Sequence, residues 1–212
     1  MTASNGKVSL EIDQLYGLKY WPALPAALVS TIDAEGSANV AFMSLVAFQS
    51  YANIGPEDAA PSDKLISLAI GDYVSPENRR SKRTYSNIAA TGDFVVGFPS
   101  STHVRAAHAT VMPGIDKFAS SGLTPEPSSV VKSPSIAECQ LAFECTLVKI
   151  DDPGAMTEVI WGKVVAAHVS EALADLEEDA FLTALDPIYN YSFGPRDGTY
   201  HRIGDKLSVE AD

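Results

Sequence analysis

Basic residues are scarce in this 212-residue chain: 15 lysines and arginines stand against 27 acids, for a formal net charge of -12 at neutral pH. So acidic a chain lacks the broad positive surface that phosphate-backbone binding requires, which argues against a nucleic-acid partner. Long apolar runs are missing too. None approaches the ~20 residues that span a bilayer, and the opening Met-Thr-Ala-Ser-Asn-Gly-Lys carries neither the charged nor the apolar part of a secretory signal. The expectation is a cytoplasmic protein without membrane contact. Cysteine occurs twice, as Cys139 and Cys145. Six residues apart on one expected strand, they would project to the same face about 20 Å from each other at ~3.3 Å per residue. That is too far for a disulfide, and neither has metal-ligand spacing, so both read as buried thiols.

The usual carriers of chemistry are also absent. No Gly-x-Gly-x-x-Gly follows a strand, no Gly-x-x-x-x-Gly-Lys is found, and no Gly-x-Ser-x-Gly marks a nucleophile. The four histidines, His103, His108, His168 and His201, show no metal spacing; His168, on an expected strand, is a candidate to face a ligand. With no activated nucleophile and no paired acid and base, an enzymatic reading requires a cofactor to carry the reaction.

Against this background one loop stands out. Four of the 15 basic residues, Arg79, Arg80, Lys82 and Arg83, fall within Ser75 to Asn87, beside Ser75, Ser81, Thr84, Asn78 and Asn87. Such a cluster is either solvated or compensated by a bound anion, whose charge-assisted hydrogen bonds contribute roughly 1.5–3 kcal/mol each. Thr84 to Ala90 reads as a short helix with Gly92 as its C-cap. The basic residues and Ser81 then stand at a helix N-terminus, where free N–H groups and the macrodipole also favour an anion. These features describe a phosphate site.

Along the chain, 26–32 and 37–42 form a β-hairpin closed by Gly36, and 43–50 continues apolar. Residues 51–63 read as a loop, 64–70 as a buried strand leading into the basic loop, and 94–98 as another strand. A helix over 102–109 would be capped by Ser101 or Thr102. The stretch 113–134 is long for a connection, which suggests a lid or an arm against a partner chain. Two long strands, 140–150 and 159–169, join in a second hairpin; 171–185 reads as an acidic helix and 199–203 as a last strand. Residues 1–10 and 205–212 read as loose tails of one domain spanning 1–212. About seven hairpin-linked strands with a few short peripheral helices make the fold mainly β, an antiparallel barrel.

Several stretches resemble, in order, the flavin reductase-like, FMN-binding split-barrel family that includes flavoredoxin. They are Leu28-Val-Ser-Thr-Ile-Asp-Ala-Glu-Gly36 with Asn39-Val-Ala-Phe-Met-Ser44, Lys82-Arg-Thr-Tyr-Ser-Asn-Ile88 with Thr91-Gly-Asp-Phe-Val-Val96, Gly114-Ile-Asp-Lys-Phe118 with Gly122-Leu-Thr124, Ala137-Glu-Cys139 with Phe143-Glu-Cys145, and Gly162-Lys-Val-Val-Ala-Ala-His-Val169. The resemblance implies a Greek-key split β-barrel that dimerises, with FMN in a groove near the dimer interface. It places Ser81, Lys82 and Thr84 on the phosphate, with Asn87 supporting the loop. Met43, Ser44, Leu45, Val46 and Ala47 would pass along the flavin ring, and Ser44 would reach the ribityl chain or phosphate. Arg83 stands where the family has an acid, so it either tightens FMN or meets the 2′-phosphate of NADPH. The implied function is an oxidoreductase passing hydride from NAD(P)H to flavin and on to a second acceptor, either a small molecule, a free flavin or a redox partner protein. A flavoredoxin-like electron carrier without direct NAD(P)H oxidation is the alternative.

Overall fold

The computed structural model describes residues 23–49, 63–71, 82–112, 114, 116–153, 157–193 and 198–205. Ser81, Arg79, Arg80, most of the 51–63 loop and both expected tails apart from Asp205 lie outside the described residues.

The first hairpin forms as its sequence predicts. After a two-residue strand β1 (Leu24–Pro25), strands β2 (Ala27–Ile32) and β3 (Ala38–Met43) pair antiparallel. Gly36 holds φ at 89° in the turn, a conformation that L side chains rarely adopt. The Asp33 carboxylate accepts from Ser37 N at 2.7 Å and fixes the turn from inside. Next come β4 (Val46–Phe48) and β5 (Leu65–Gly71), then helix α1 (Arg83–Thr91), which ends on Gly92 at φ 77° with the Gly92 N–H bonded to Ile88 O. Strand β6 (Asp93–Pro99) follows, then a 3-10 turn (Ser101–His103) running into α2 (Val104–Ala109), and α3 (Lys117–Ser121). The short strands β7 (Pro125–Glu126) and β8 (Ser135–Ile136) pair with each other. Strands β9 (Cys139–Asp151) and β10 (Thr157–Val169) form the long hairpin, and α4 (Glu171–Ala174), α5 (Glu178–Leu185), β11 (Ile188–Phe193) and β12 (Gly198–Arg202) complete the order.

Seven strands make one antiparallel sheet in the order β3-β2-β6-β9-β10-β5-β4. Its two edges, β3 and β4, are consecutive in sequence and separated only by Ser44 and Leu45. The sheet must therefore curl until its edges meet at that connection, which gives a mainly β split barrel. Alternate residues fill the inside: Ala27 and Val29, Ile66, Leu68 and Ile70, Phe94 and Val96, Cys145 and Ile160, with Ile88 of α1 entering from one end. The outer face around Leu28 and Val40 is covered by Ala107, Phe118, Leu123 and Ile136.

Close packing leaves Gly162 no room for a side chain. A Cβ there would lie 2.3 Å from Phe94 Cζ and 3.3 Å from Cys145 Cβ, and Phe94 is fully buried. Gly162→Ala is expected to cost about 3 kcal/mol through overpacking, read as a lower urea midpoint. Gly204→Ala, with nothing within 4 Å, should leave that midpoint unchanged.

Several expectations are corrected. Neither Ser101 nor Thr102 caps a helix: both lie in the 3-10 turn, and His103 precedes α2 without a side-chain cap bond. The acidic helix over 171–185 is broken into α4 and α5. A second, three-stranded sheet, β1-β11-β12, lies beyond the expected strands. Cys139 and Cys145 share β9 but not a face. Phe98 pairs with Leu141 and Pro99 with Cys139, so Gln140 is an extra residue at a bulge that reverses the alternation. Cys145 consequently enters the inner core while Cys139 packs against the outer cluster. Both thiols are free, and burial, followed by the Glu144 charge, pushes Cys145 up to about 12.

The stretch 113–134 is docked on the chain's own sheet through its last residues. Asp93 accepts from Lys132 N and Ser133 N, and Glu144 accepts from Ser129 N, Val130 N and Val131 N at 2.7–3.0 Å. His168 belongs to this anchor. Its Nε2 lies 2.6 Å from Glu144 Oε1 and 3.2 Å from Ser129 Oγ, on the side of β9 opposite the core.

Candidate functional site

Helix α1 closes one end of the curled sheet, and a buried polar network seats it there. Asn87 Nδ2 donates to Thr31 Oγ1 at 3.0 Å, and Asn39 Nδ2 reaches Thr31 Oγ1 at 3.4 Å and Thr84 Oγ1 at 3.3 Å. All four side chains are buried. Asn87 therefore ties the helix to β2, in keeping with the supporting role expected of it. The Thr84 hydroxyl turns inward, toward Asn39, not outward beside the basic side chains. Asn39 Oδ1, next to the first turn of α1, is buried without a hydrogen-bond partner.

Lys82 is the N-cap residue of α1, and its side chain makes no cap bond to the helix. It instead donates to Gly71 O at the end of β5, drawing the strand and the helix together. Arg83 reaches back to the turn of the first hairpin, with its guanidinium 3.6 Å from Asp33 Oδ2. Both cations thus stand at the positive end of the helix.

A third cation joins them that the linear pattern did not single out for this role. Lys117, in the first turn of α3, donates to Thr110 O at 2.8 Å. Burial lowers its pKa, and the Arg83 and Lys82 charges lower it further. Lys117 is therefore within electrostatic reach of the basic loop despite its distance in sequence. The signal was present in the Gly114–Phe118 segment, but nothing local to that segment shows where it folds.

From Asn39, strand β3 leads about 13 Å, at ~3.3 Å per residue, to the connection where the sheet edges meet. Met43 packs half-buried on the inner core, Ser44 is buried, and Val46 joins the core. Leu45 is 42% exposed and Phe48 45%, and Ala47 is exposed between them. Leu45 O accepts from Ala69 N, and Gln49 N donates to Leu65 O. Alternation along β4 then leaves the N–H and C=O of Val46 and Phe48 on the open edge. Phe48 rests on Phe143 and Phe98, with ring centroids 4.9 and 6.1 Å away. The five residues Met43 to Ala47 and the described basic residues are thus the two ends of one strand, apolar at one end and cationic at the other.

Among the described residues, no cluster of His, Cys, Asp and Glu suits a metal ion, and no helix is long and apolar enough to cross a membrane.

Comparison with known proteins gives this arrangement a context. Residues 23–181 match the flavin reductase like domain. An uncharacterized protein of Aquifex aeolicus (strain VF5) is 30% identical over 168 residues, covering 77% of this chain and 79% of that protein. Among solved structures, nitrilotriacetate monooxygenase component B from Bacillus cereus superposes with a TM-score of 0.77 at 23% identity, covering 97% of this chain and all of that one. Flavoredoxin of Desulfovibrio vulgaris (Miyazaki F) superposes with a TM-score of 0.66 at 23% identity, covering 99% and 97% of the two chains. These two likenesses establish the fold.

Proposed function

Because this chain belongs to the flavin reductase-like domain family, we propose that it is an FMN-dependent oxidoreductase, working as a cytoplasmic homodimer, that takes hydride from NAD(P)H and delivers electrons to a second acceptor. The observation that carries this reading is the pairing of a cationic helix start, Lys82 and Arg83, with an exposed apolar edge at Leu45 to Phe48, joined by β3.

The residues present fit a flavin mononucleotide. Lys82, Arg83 and the first N–H groups of α1 would hold the phosphate, together with Ser81 from outside the described residues. The Thr84 hydroxyl is committed to Asn39, so Thr84 would act through its main chain. Asn39 Oδ1 lacks a donor, and a polyol chain lying along β3 would supply one. The N–H and C=O groups on the open edge of β4 match the donor and acceptor rim of the ring, while Met43, Leu45 and Phe48 offer it an apolar, water-poor bed. Bound flavin supplies a ring that takes up hydride and releases electrons to an acceptor. The chain's own part is to bind, orient and shield.

Purified protein supplied with FMN should be yellow, and anaerobic NADH or NADPH should bleach it. A carrier of the flavoredoxin kind is the second reading, favoured by the net charge of -12, which suits steering toward a basic redox partner. It is selected if the FMN-loaded protein resists both nicotinamides yet is bleached by dithionite. Protein that takes up no FMN would overturn both readings.

A further inference from the structure

We propose that Lys117 is a third cation of the anion site at the start of α1, and that it sets the preference for a flavin carrying a terminal phosphate over one without. The inference rests on the flavin reading above and adds a residue from a separate element to it.

The placement of Lys117 is dictated by packing. Phe118, its neighbour in α3, is buried in the outer cluster with Leu28 and Val40. Leu28 and Val40 lie on β2 and β3, the strands whose other face carries Thr31 and Asn39 against α1. Lys117 is therefore held at the margin of the same two strands. Its Nζ is steadied by Thr110 O at 2.8 Å, so the ammonium is positioned and partly desolvated.

Charge makes the case for an anion. The influences on the Lys117 ammonium are burial and the Arg83 and Lys82 cations, all of which disfavour its charge, and no acid offsets them. Asp116, adjacent in sequence, gives its carboxylate to Ala119 N of its own helix at 2.9 Å. Asp33 answers Arg83 at 3.6 Å. Three cations less one paired carboxylate leave a surplus of two positive charges, which matches a phosphomonoester of about -1.5 to -2 at neutral pH. A ligand of lower charge would leave the cluster unbalanced, whereas a phosphomonoester answers all three side chains at once.

The test compares FMN with riboflavin, by quenching of flavin fluorescence, in wild-type protein, Lys117→Gln and Lys117→Arg. Wild type is expected to favour FMN. Lys117→Gln should lose about tenfold or more in FMN affinity while its riboflavin affinity stays the same, and Lys117→Arg should recover most of the loss. Unchanged riboflavin binding shows that the fold is intact. An unaltered FMN-to-riboflavin ratio in Lys117→Gln overturns this inference and leaves the flavin reading standing. So does a change confined to the preference between NADPH and NADH, which would place Lys117 on the dinucleotide instead. Failure of wild-type protein to bind either flavin overturns the flavin reading and this inference together.

Discussion

Glu144→Gln is expected to lower the stability of the fold by roughly 2–4 kcal/mol. Glu144 is fully buried on the outer face of β9, and it organises the end of the long connection. Its Oε1 accepts from Ser129 N and Ser129 Oγ, both at 2.8 Å, and from His168 Nε2 at 2.6 Å. Its Oε2 accepts from Val130 N at 2.7 Å and Val131 N at 3.0 Å. A glutamine keeps one acceptor oxygen but turns an NH2 group toward N–H donors, so at least one cluster of donors is left facing another. Water reaching the strap from outside, where Ser129 and Val130 are exposed, softens the loss and sets the lower end of the range.

The same site predicts a pH dependence whose direction is determined. Burial alone would raise the Glu144 carboxyl, but the hydrogen bonds from Ser129, Val131 and Val130 overcome it and hold the group at about 2, below the ordinary 4.5. A carboxylate whose folded pKa is depressed contributes stability that is fully present above its unfolded pKa and is lost as pH falls through the folded one. The difference between wild type and Glu144→Gln should therefore be full at neutral pH and shrink as pH falls from about 4.5 toward 2. Urea midpoints at pH 7 and pH 3 measure it. A difference that stays constant between them would mean that the carboxylate charge is not what secures the strap.

How much of this was legible beforehand depends on how local each signal is. The first hairpin was readable because a turn residue, Gly36, sits between two apolar runs, and α1 because Gly92 marks its end. The long β9–β10 pair was readable for the same reason. The strap over β9 was not. Its Ser and Pro content describes a loop, and the two acids that fix it, Asp93 and Glu144, lie on strands distant in sequence. Nor does any periodicity show a bulge, so the single extra residue at Gln140 put Cys139 on the wrong face. Strand β11 was missed because Ile188-Tyr-Asn-Tyr-Ser-Phe193 mixes polar and aromatic residues, and its partners β1 and β12 come from the two ends of the described chain.

The site divides in the same way. The cationic turn was visible as a departure from an acidic composition, and Lys82 and Arg83 do stand at a helix start. Which way Thr84 points was not visible, because that depends on Asn39 and Thr31 reaching it from another element. Lys117 was equally hidden, since a lone lysine gains meaning only when folding brings it toward two others.

The double replacement Lys82→Ala with Arg83→Ala should weaken FMN binding by about a hundredfold or more. Two charge-assisted hydrogen bonds of roughly 1.5–3 kcal/mol each are removed, and every 1.4 kcal/mol is tenfold in affinity. Arg83→Ala also leaves the Asp33 carboxylate, now 3.6 Å from the guanidinium, facing the site without its partner, where it would repel a phosphate. Stability should change by less than about 1 kcal/mol, because Lys82 is exposed, Arg83 is only half-buried, and such ion pairs are largely screened by water. The polar network that seats α1 runs through Thr31, Asn39, Thr84 and Asn87 and is untouched. Riboflavin, lacking the phosphate, should bind the double variant as well as it binds wild type. Equilibrium titration of both flavins separates the possibilities: equal losses for FMN and riboflavin would mean that the two side chains shape the groove generally, and an unchanged FMN affinity would place the phosphate away from the start of α1.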